Sequence, residues 1–475
     1  MMRIALLVIR MAGRAGGRIC WLLVCIYLAT GVVSFARRWP AKVVAVVPRL
    51  DGIRVVTEGG RRGRPGVEDQ ASLALGVLAW SGLFFVPVTR RWWSGVAALG
   101  VVAGVGLGTE PMRRWNLSQE IAAVADVAVK PYEKLFFQRG VSFIRDGFEA
   151  YHPKPTAAMF DALKGHGVDA VAVVPYGTYR QGQAAVSLGW DTGDEDLYVA
   201  LMKVAHARGI RVLLKPQLWV MPGMFPGAIR IEDAGARRVW FESYRTFILH
   251  WAKVAERGHA DLFAVGTELE KLSGDAKEWR LVVSEVRKVY GGPLTYAANQ
   301  GPDFEKLAWW DALDYIGLNE YYPLPDSLDF SEVLERVEAV QKKFAKPLIL
   351  TEVGFASVAG SHREPWSEPR READWAHQVR CYEALMKAFW GKAWFYGMYP
   401  WKVSAHGDVG PEDRSLTPWK KPAMGVLERY YRRARKYDDA EERARVGQGN
   451  ELGLRRRRLD FEAENLKNTD QTIKN

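Results

Sequence analysis

Between about Gln138 and Arg432 the chain alternates short apolar runs with longer stretches of helical periodicity. The runs are Gly140 to Ile144, Val168 to Val174, Ile210 to Leu214, Asp261 to Val265, Leu294 to Ala298, Leu313 to Leu318, Pro347 to Leu350 and Trp394 to Tyr399. Each is too short for a helix and apolar throughout, as a strand covered on both faces must be. Helical stretches between them include Glu195 to Arg208, Arg237 to Arg257, Ser331 to Phe344 and Arg370 to Trp390. Strands alternating with helices predict a parallel sheet. Eight units fit a (β/α)8 TIM barrel, for which about 250 residues is typical.

Two of these runs end in a carboxylate. Glu268 closes Asp261-Leu262-Phe263-Ala264-Val265-Gly266-Thr267, and Glu352 closes Pro347-Leu348-Ile349-Leu350-Thr351. By the strand count they lie after the fourth and seventh strands. A parallel barrel gathers its strand ends around one rim, so residues far apart in sequence can face a single ligand there. Two carboxylates across a sugar bond are the apparatus of glycoside cleavage; taken one at a time, each could equally be a salt-bridged rim residue.

Upstream of the barrel the pattern changes. Apolar stretches at 19–36, 71–88 and 92–107 predict a transmembrane region within residues 1–110, followed by a linker at 111–137. The first stretch follows four arginines and resembles a signal peptide, but Phe35-Ala36-Arg37-Arg38 is a poor small-residue cleavage site, which favours an uncleaved anchor. The second and third flank Thr89-Arg90-Arg91, with Trp92 and Trp93 alongside as interfacial aromatics would be; they read as a hairpin in the lipid bilayer. The connection from Arg37 to Gln70 carries 8 Lys and Arg, which by the positive-inside rule puts the final domain in the cytoplasm. A polysaccharide substrate would put it outside.

Charge narrows the partners. The chain carries +11, of which residues 1–137 hold 18 Lys and Arg against 8 Asp and Glu. The barrel is therefore near neutrality, which argues against nucleic acid. The tail at 433–475 is polar, with an arginine run at 455–458 that reads as a solvated end. Neither the 3 Cys nor the 8 His have metal-ligand spacing, so no metal and no cofactor is expected. Most of the 19 Trp are expected in the core, some near strand ends where an indole face can stack on a sugar.

The segments Leu214-Lys215-Pro216-Gln217-Leu218-Trp219, Val265-Gly266-Thr267-Glu268-Leu269, Tyr296-Ala297-Ala298-Asn299, Ile316-Gly317-Leu318-Asn319-Glu320-Tyr321-Tyr322-Pro323 and Thr351-Glu352-Val353-Gly354-Phe355 resemble glycoside hydrolase family 113, in order, across the whole barrel. The resemblance implies retaining hydrolysis of a β-linked polysaccharide, β-1,4-mannan above all, with Glu268 as acid/base and Glu352 as nucleophile. Thr267 stands where many relatives in the wider clan have Asn. The chain's Asn-Glu pair lies instead at Asn319-Glu320, which makes Glu320 a rival acid that would have to reach across the rim.

Around this pair the expected substrate-binding residues are Trp401, as the floor of a sugar subsite, and Lys215, Gln217, Asn299 and Asn319, as polar contacts. Tyr321 is placed to hydrogen-bond the nucleophile. A buried lysine is costly unless paired, so Lys215 is expected beside a site carboxylate or substrate. Trp219 with the Pro- and Gly-rich loop 220–227 is expected to form one wall of the cleft, and Tyr176 with Tyr179 the opposite wall. Two alternatives remain at this stage: cleavage or transfer on another β-glycan, and a barrel that only binds glycan. The sequence leaves the oligomeric state open.

Overall fold

A computed structural model describes residues 43–49, 52–57, 62–63 and 131–433, the last range excluding 146–150, 152, 190, 370, 406 and 408. The chain divides into two compact units, Met1–Glu120 and Ile121–Asn475. In the first, strands Val43–Arg49 and Gly52–Thr57 pair antiparallel, and Arg62–Gly63 adds to the second of them. This hairpin falls in the stretch read only as a connection; its sequence signal is the pair of β-branched runs, Val43 to Val47 and Ile53 to Thr57. The proposed spans 19–36, 71–88 and 92–107 and the tail beyond Arg433 lie outside the described residues. Among the described residues no helix is long and apolar enough to cross a membrane.

The second unit is an eight-stranded parallel β/α barrel. Its strands are β1 Gln138–Ile144, β2 Ala170–Val173, β3 Arg211–Leu214, β4 Leu262–Thr267, β5 Leu294–Asn299, β6 Ile316–Glu320, β7 Leu348–Val353 and β8 Phe395–Pro400. Each pairs with its sequence neighbours and β8 closes on β1. The helices are α1 Pro153–Gly165, α2 Glu195–His206, α3 Ala234–Gly258, α4 Ala276–Val286, α5 Pro302–Glu305, α6 Ser331–Phe344, α7 Trp375–Phe389 and α8 Pro422–Tyr431. All eight expected strands are present, displaced by one to three residues at their ends.

The helices are placed by amphipathic packing and by caps. Asp233 accepts the Ala236 amide at the start of α3, and His259 in the left-handed region ends it. One face of α3 buries Trp240, Phe241, Tyr244, Phe247, Ile248 and Trp251. Trp240 stacks on Tyr244 at 4.9 Å, Tyr244 meets Trp279 edge-on, and Trp279 stacks on Trp309 at 5.1 Å. This aromatic seam lies outside β4 and β5 and Trp310 extends it against Trp309, while Trp251, also fully buried, packs on Tyr198 of α2. Those residues are core, whereas Trp219 and Trp366 are about half exposed.

Of the segment read as linker, residues 131–137 are described, and they are packed. Tyr132 stacks on His259 at 3.9 Å and its hydroxyl donates to Glu256, while Phe136 enters the barrel core beside Tyr315, Tyr396 and Tyr399. At the other end Tyr431 on α8 donates to the Gly140 carbonyl at 2.8 Å, tying the last helix to the first strand.

Closure of the barrel passes through Gly397. It pairs with Gln138 across the seam at φ +123°, and a Cβ there would lie 2.0 Å from the Gln138 carbonyl oxygen. Backbone on the far side leaves nothing flexible to yield. Gly397→Ala should therefore cost about 4 kcal/mol or more, the far end of single-substitution effects. Chemical denaturation checks this, and a loss under about 1 kcal/mol would contradict the seam's role.

Candidate active site

The carboxyl ends of β3 to β8 converge on a buried polar cluster in the barrel mouth. Glu352 stands on β7 and is almost fully buried. Lys215, just past β3 and fully buried, forms an ion pair with its Oε1, and Tyr321, just past β6, donates to its Oε2 at 3.1 Å. Two donors thus face this carboxylate, one of them charged. The Lys215 ammonium also lies over the Trp401 ring, 5.3 Å from its centre, with Lys402 at 5.8 Å. Trp401, half-buried after β8, therefore sits directly beneath the cation that holds Glu352.

Glu268 has a different environment. It follows β4 in the left-handed region at φ 53°, which is uncommon for a non-glycine residue. Asn319 on β6 donates from Nδ2 to Glu268 Oε1 at 3.0 Å. Thr351 Oγ1 donates to Asn319 Oδ1 at 2.7 Å, which fixes which end of the amide faces Glu268. Burial pushes the Glu268 carboxyl up to about 8, and the charge of Glu352 pushes the same way against Asn319 and Lys215. Asn319 occupies Oε1 as a donor, so the proton of the neutral acid belongs on Oε2.

Irregular pairing sets up this convergence. Between β5 and β4, Thr295 pairs with Ala264 but Ala297 with Thr267, so β4 holds an extra residue just before Glu268. Between β6 and β7, Leu318 pairs with Leu350 but Asn319 with Glu352, so β7 bulges at Thr351. A bulge bends its strand and re-aims the following side chain. Gly266 is the signal that could have found the first, since an isolated glycine in a strand pattern points to a bulge. Nothing in Leu348-Ile349-Leu350-Thr351 announces the second, and Thr351 was missed for that reason.

Other expected site residues are placed as follows. Asn299 directs its side-chain amide to Glu270 at 3.4 Å and its backbone amide to Asp303 at 2.8 Å, so it braces the β4 loop. Gln217 is partly buried, with its Oε1 buried and without a partner. Tyr176 and Trp219 are not on opposite walls: Tyr176–Arg180 and Gln217–Met221 form a parallel two-stranded sheet, and the two rings meet edge-on at 6.2 Å. They extend the adjacent β2 and β3, which forces them onto one wall. Glu320 is buried and accepts the Tyr322 amide at 3.2 Å; burial pushes its carboxyl up to about 8. Its neighbour Asn319 reaches Glu268, and successive strand residues face opposite ways, so Glu320 points away from that pair. Among the described residues no group of His, Cys, Asp and Glu could hold a metal ion.

Comparison with known proteins agrees with this geometry. The model of Glycoside Hydrolase Family 113 matches residues 144–414. A GH113 β-1,4-mannanase solved as a complex is 25% identical, with a TM-score of 0.59 over 63% of this chain and all of its own. The GH113 β-mannanase AaManA from Alicyclobacillus acidocaldarius, solved in complex with ManMIm, is 29% identical, with a TM-score of 0.57 over 62% of this chain and 97% of its own. No protein of curated function matches the chain. With more than half its length matched by the family model and its barrel closed around this paired-carboxyl mouth, the chain belongs to glycoside hydrolase family 113 and is a glycoside hydrolase.

Proposed function

We propose that the enzyme hydrolyses a β-1,4-mannan-type polysaccharide with net retention, by double displacement through Glu352 and Glu268. The observation that carries this reading is the asymmetry of the two carboxyls: Glu352 faces an ammonium and a phenol, while Glu268 is buried, amide-bonded and held protonated. In the first step Glu352 attacks the anomeric carbon as Glu268 protonates the departing oxygen. The glycosyl ester consumes the Glu352 charge, so Glu268, having given up its proton, stays ionised; it then takes a proton from the water that attacks the anomeric carbon, and the ester bond breaks to restore the Glu352 carboxylate. Retention requires the carboxyls to stand about 5 to 5.5 Å apart. Mannan as the polymer is supported by what the two mannanases are described as cutting.

The same reading takes the apolar stretches 19–36, 71–88 and 92–107 as a membrane tether. A tethered enzyme suits a glycan made by its own cell, which makes another β-glycan the alternative substrate. The substrate argues for a barrel outside the membrane and the arginine count for one inside; protease accessibility in intact cells decides between them.

Glu352→Ala should abolish turnover. Glu268→Ala should cost about 10² to 10⁴ in rate on substrates whose leaving group needs a proton, while Glu320→Gln stays within about threefold. Because Glu268 must be protonated to act, kcat/KM should fall as pH rises through about 8. Proton NMR of the first-formed reducing end on mannan, glucomannan, β-glucans and chitin-type oligomers reads both linkage and stereochemistry. Net inversion overturns the mechanism; cleavage of another β-glycan but not mannan overturns the polymer alone. Binding without cleavage of any of them, lost in Trp401→Ala, favours a binding barrel.

A chain beginning at Ile121 keeps Tyr132 and Phe136 with the barrel and should be soluble and active, with the full chain in the membrane fraction. Full-length protein in the soluble fraction would remove the tether.

A further inference from the structure

Behind Glu268 lies a second buried carboxyl that the proposed chemistry does not use. Asp303, on α5 after β5, is 1% exposed. Tyr296 on β5 directs its hydroxyl to both carboxylate oxygens, at 3.2 and 3.3 Å, and accepts the Leu269 amide at 2.8 Å. Asp303 also accepts the Asn299 amide at 2.8 Å and a bond from the Ser273 side chain. The chain of contacts therefore runs from Asp303 through one phenol to the peptide immediately following Glu268.

That peptide is where support is needed. Glu268 holds a left-handed backbone at φ 53°, a conformation a glutamate keeps only when its surroundings over-determine it. Its own amide donates to the Ala297 carbonyl at 2.8 Å. On the other side, a Cβ on Gly227 would come within 3.0 Å of its carbonyl oxygen. The Leu269 amide on Tyr296 is a further tie, and an ionised Asp303 accepts the phenol's O–H as a hydrogen bond, which leaves the phenol's lone pairs free for that amide.

We propose that Asp303 and Tyr296 are positioning residues for the acid carboxyl: acting through the Leu269 amide, they hold the backbone from which Glu268 is aimed. The proposal rests on Glu268 being the acid/base. Neither residue touches the sugar.

The groups facing Glu268 are Glu352 from β7, Asn319 from β6, Lys215 from the β3 end and, more remotely, Asp303, whose negative charge favours the protonated acid. Those facing Asp303 are Tyr296, Ser273, the Asn299 amide and Glu270, with burial pushing its carboxyl up to about 7. Removing the Asp303 charge therefore lets Glu268 lose its proton at lower pH.

The test measures kcat/KM for phenyl and dinitrophenyl β-glycosides of the sugar that the wild-type enzyme cleaves. Phenolate needs a proton to depart and dinitrophenolate does not. Tyr296→Phe should lower kcat/KM on the phenyl glycoside by at least about tenfold, within the hundredfold that a 1 Å misplacement costs, and by less than about twofold on the dinitrophenyl glycoside. Asp303→Asn should move the basic limb of the phenyl-glycoside pH profile to lower pH. Equal losses on both substrates in Tyr296→Phe, or no loss on either, overturn the proposal. Should Tyr296→Phe lack a cooperative unfolding transition, Asp303→Asn decides, and an unmoved basic limb overturns it. Glu268→Gln is the control: if it slows both substrates alike, it is the acid assignment that fails, and with it the ground for this one.

Discussion

A barrel mouth that buries two glutamates and one lysine imposes a division of charge. Lys215 is fully buried and bound to Glu352, so the ammonium compensates that carboxylate at short range. Glu268 feels the same ammonium only from a distance, and its hydrogen-bond partner is a neutral amide. Ionising both carboxyls would leave an uncompensated charge in a low-dielectric site, and the cheaper arrangement keeps a proton on Glu268. In the proposed mechanism, nucleophile and acid are thus distinguished by which carboxyl Lys215 contacts directly.

That arrangement depends on strand irregularities more than on strand identity. Extra residues in β4 and β7, each just ahead of the glutamate, turn both side chains from the positions that regular pairing would give them. The left-handed Glu268 is a further departure from regular geometry. These local costs are borne by a rigid surround: the aromatic seam of Trp240, Tyr244, Trp279 and Trp309 outside β4 and β5, and the hydrogen bonds that tie Glu268 to Ala297, Leu269 to Tyr296 and Glu270 to Asn299. The amide of Asn319, oriented by Thr351, then joins the sixth and seventh strands to the fourth in one network.

The mouth is built asymmetrically beyond the carboxyls as well. Parallel pairing of Tyr176–Arg180 with Gln217–Met221 raises a short wall over β2 and β3, with Trp219 about half exposed on it. Trp401 lies beneath the Lys215 ammonium, so one indole both braces the cation and offers an aromatic surface. A sugar ring presents apolar C–H faces and polar edges, and a site of this kind meets both.

Much of this architecture was legible in the sequence, because a parallel strand covered on both faces must be an unbroken apolar run and a helix covering it must repeat at 3.6 residues. Those periodicities located all eight strands, and the position of Glu268 and Glu352 at run ends put both on one rim. The need of a buried lysine for a partner pointed Lys215 to a carboxylate. Pairwise geometry was not legible. Which glutamate Lys215 contacts, that Tyr176 and Trp219 share a wall, that Asn299 braces a loop, and that Glu320 faces away from Glu268 all depend on register and bulges. These are set by packing between segments distant in sequence, and a local pattern carries no record of them. Asp303 illustrates the limit: in the sequence it is one more acidic residue in a short loop, and only burial against Tyr296 connects it to Glu268.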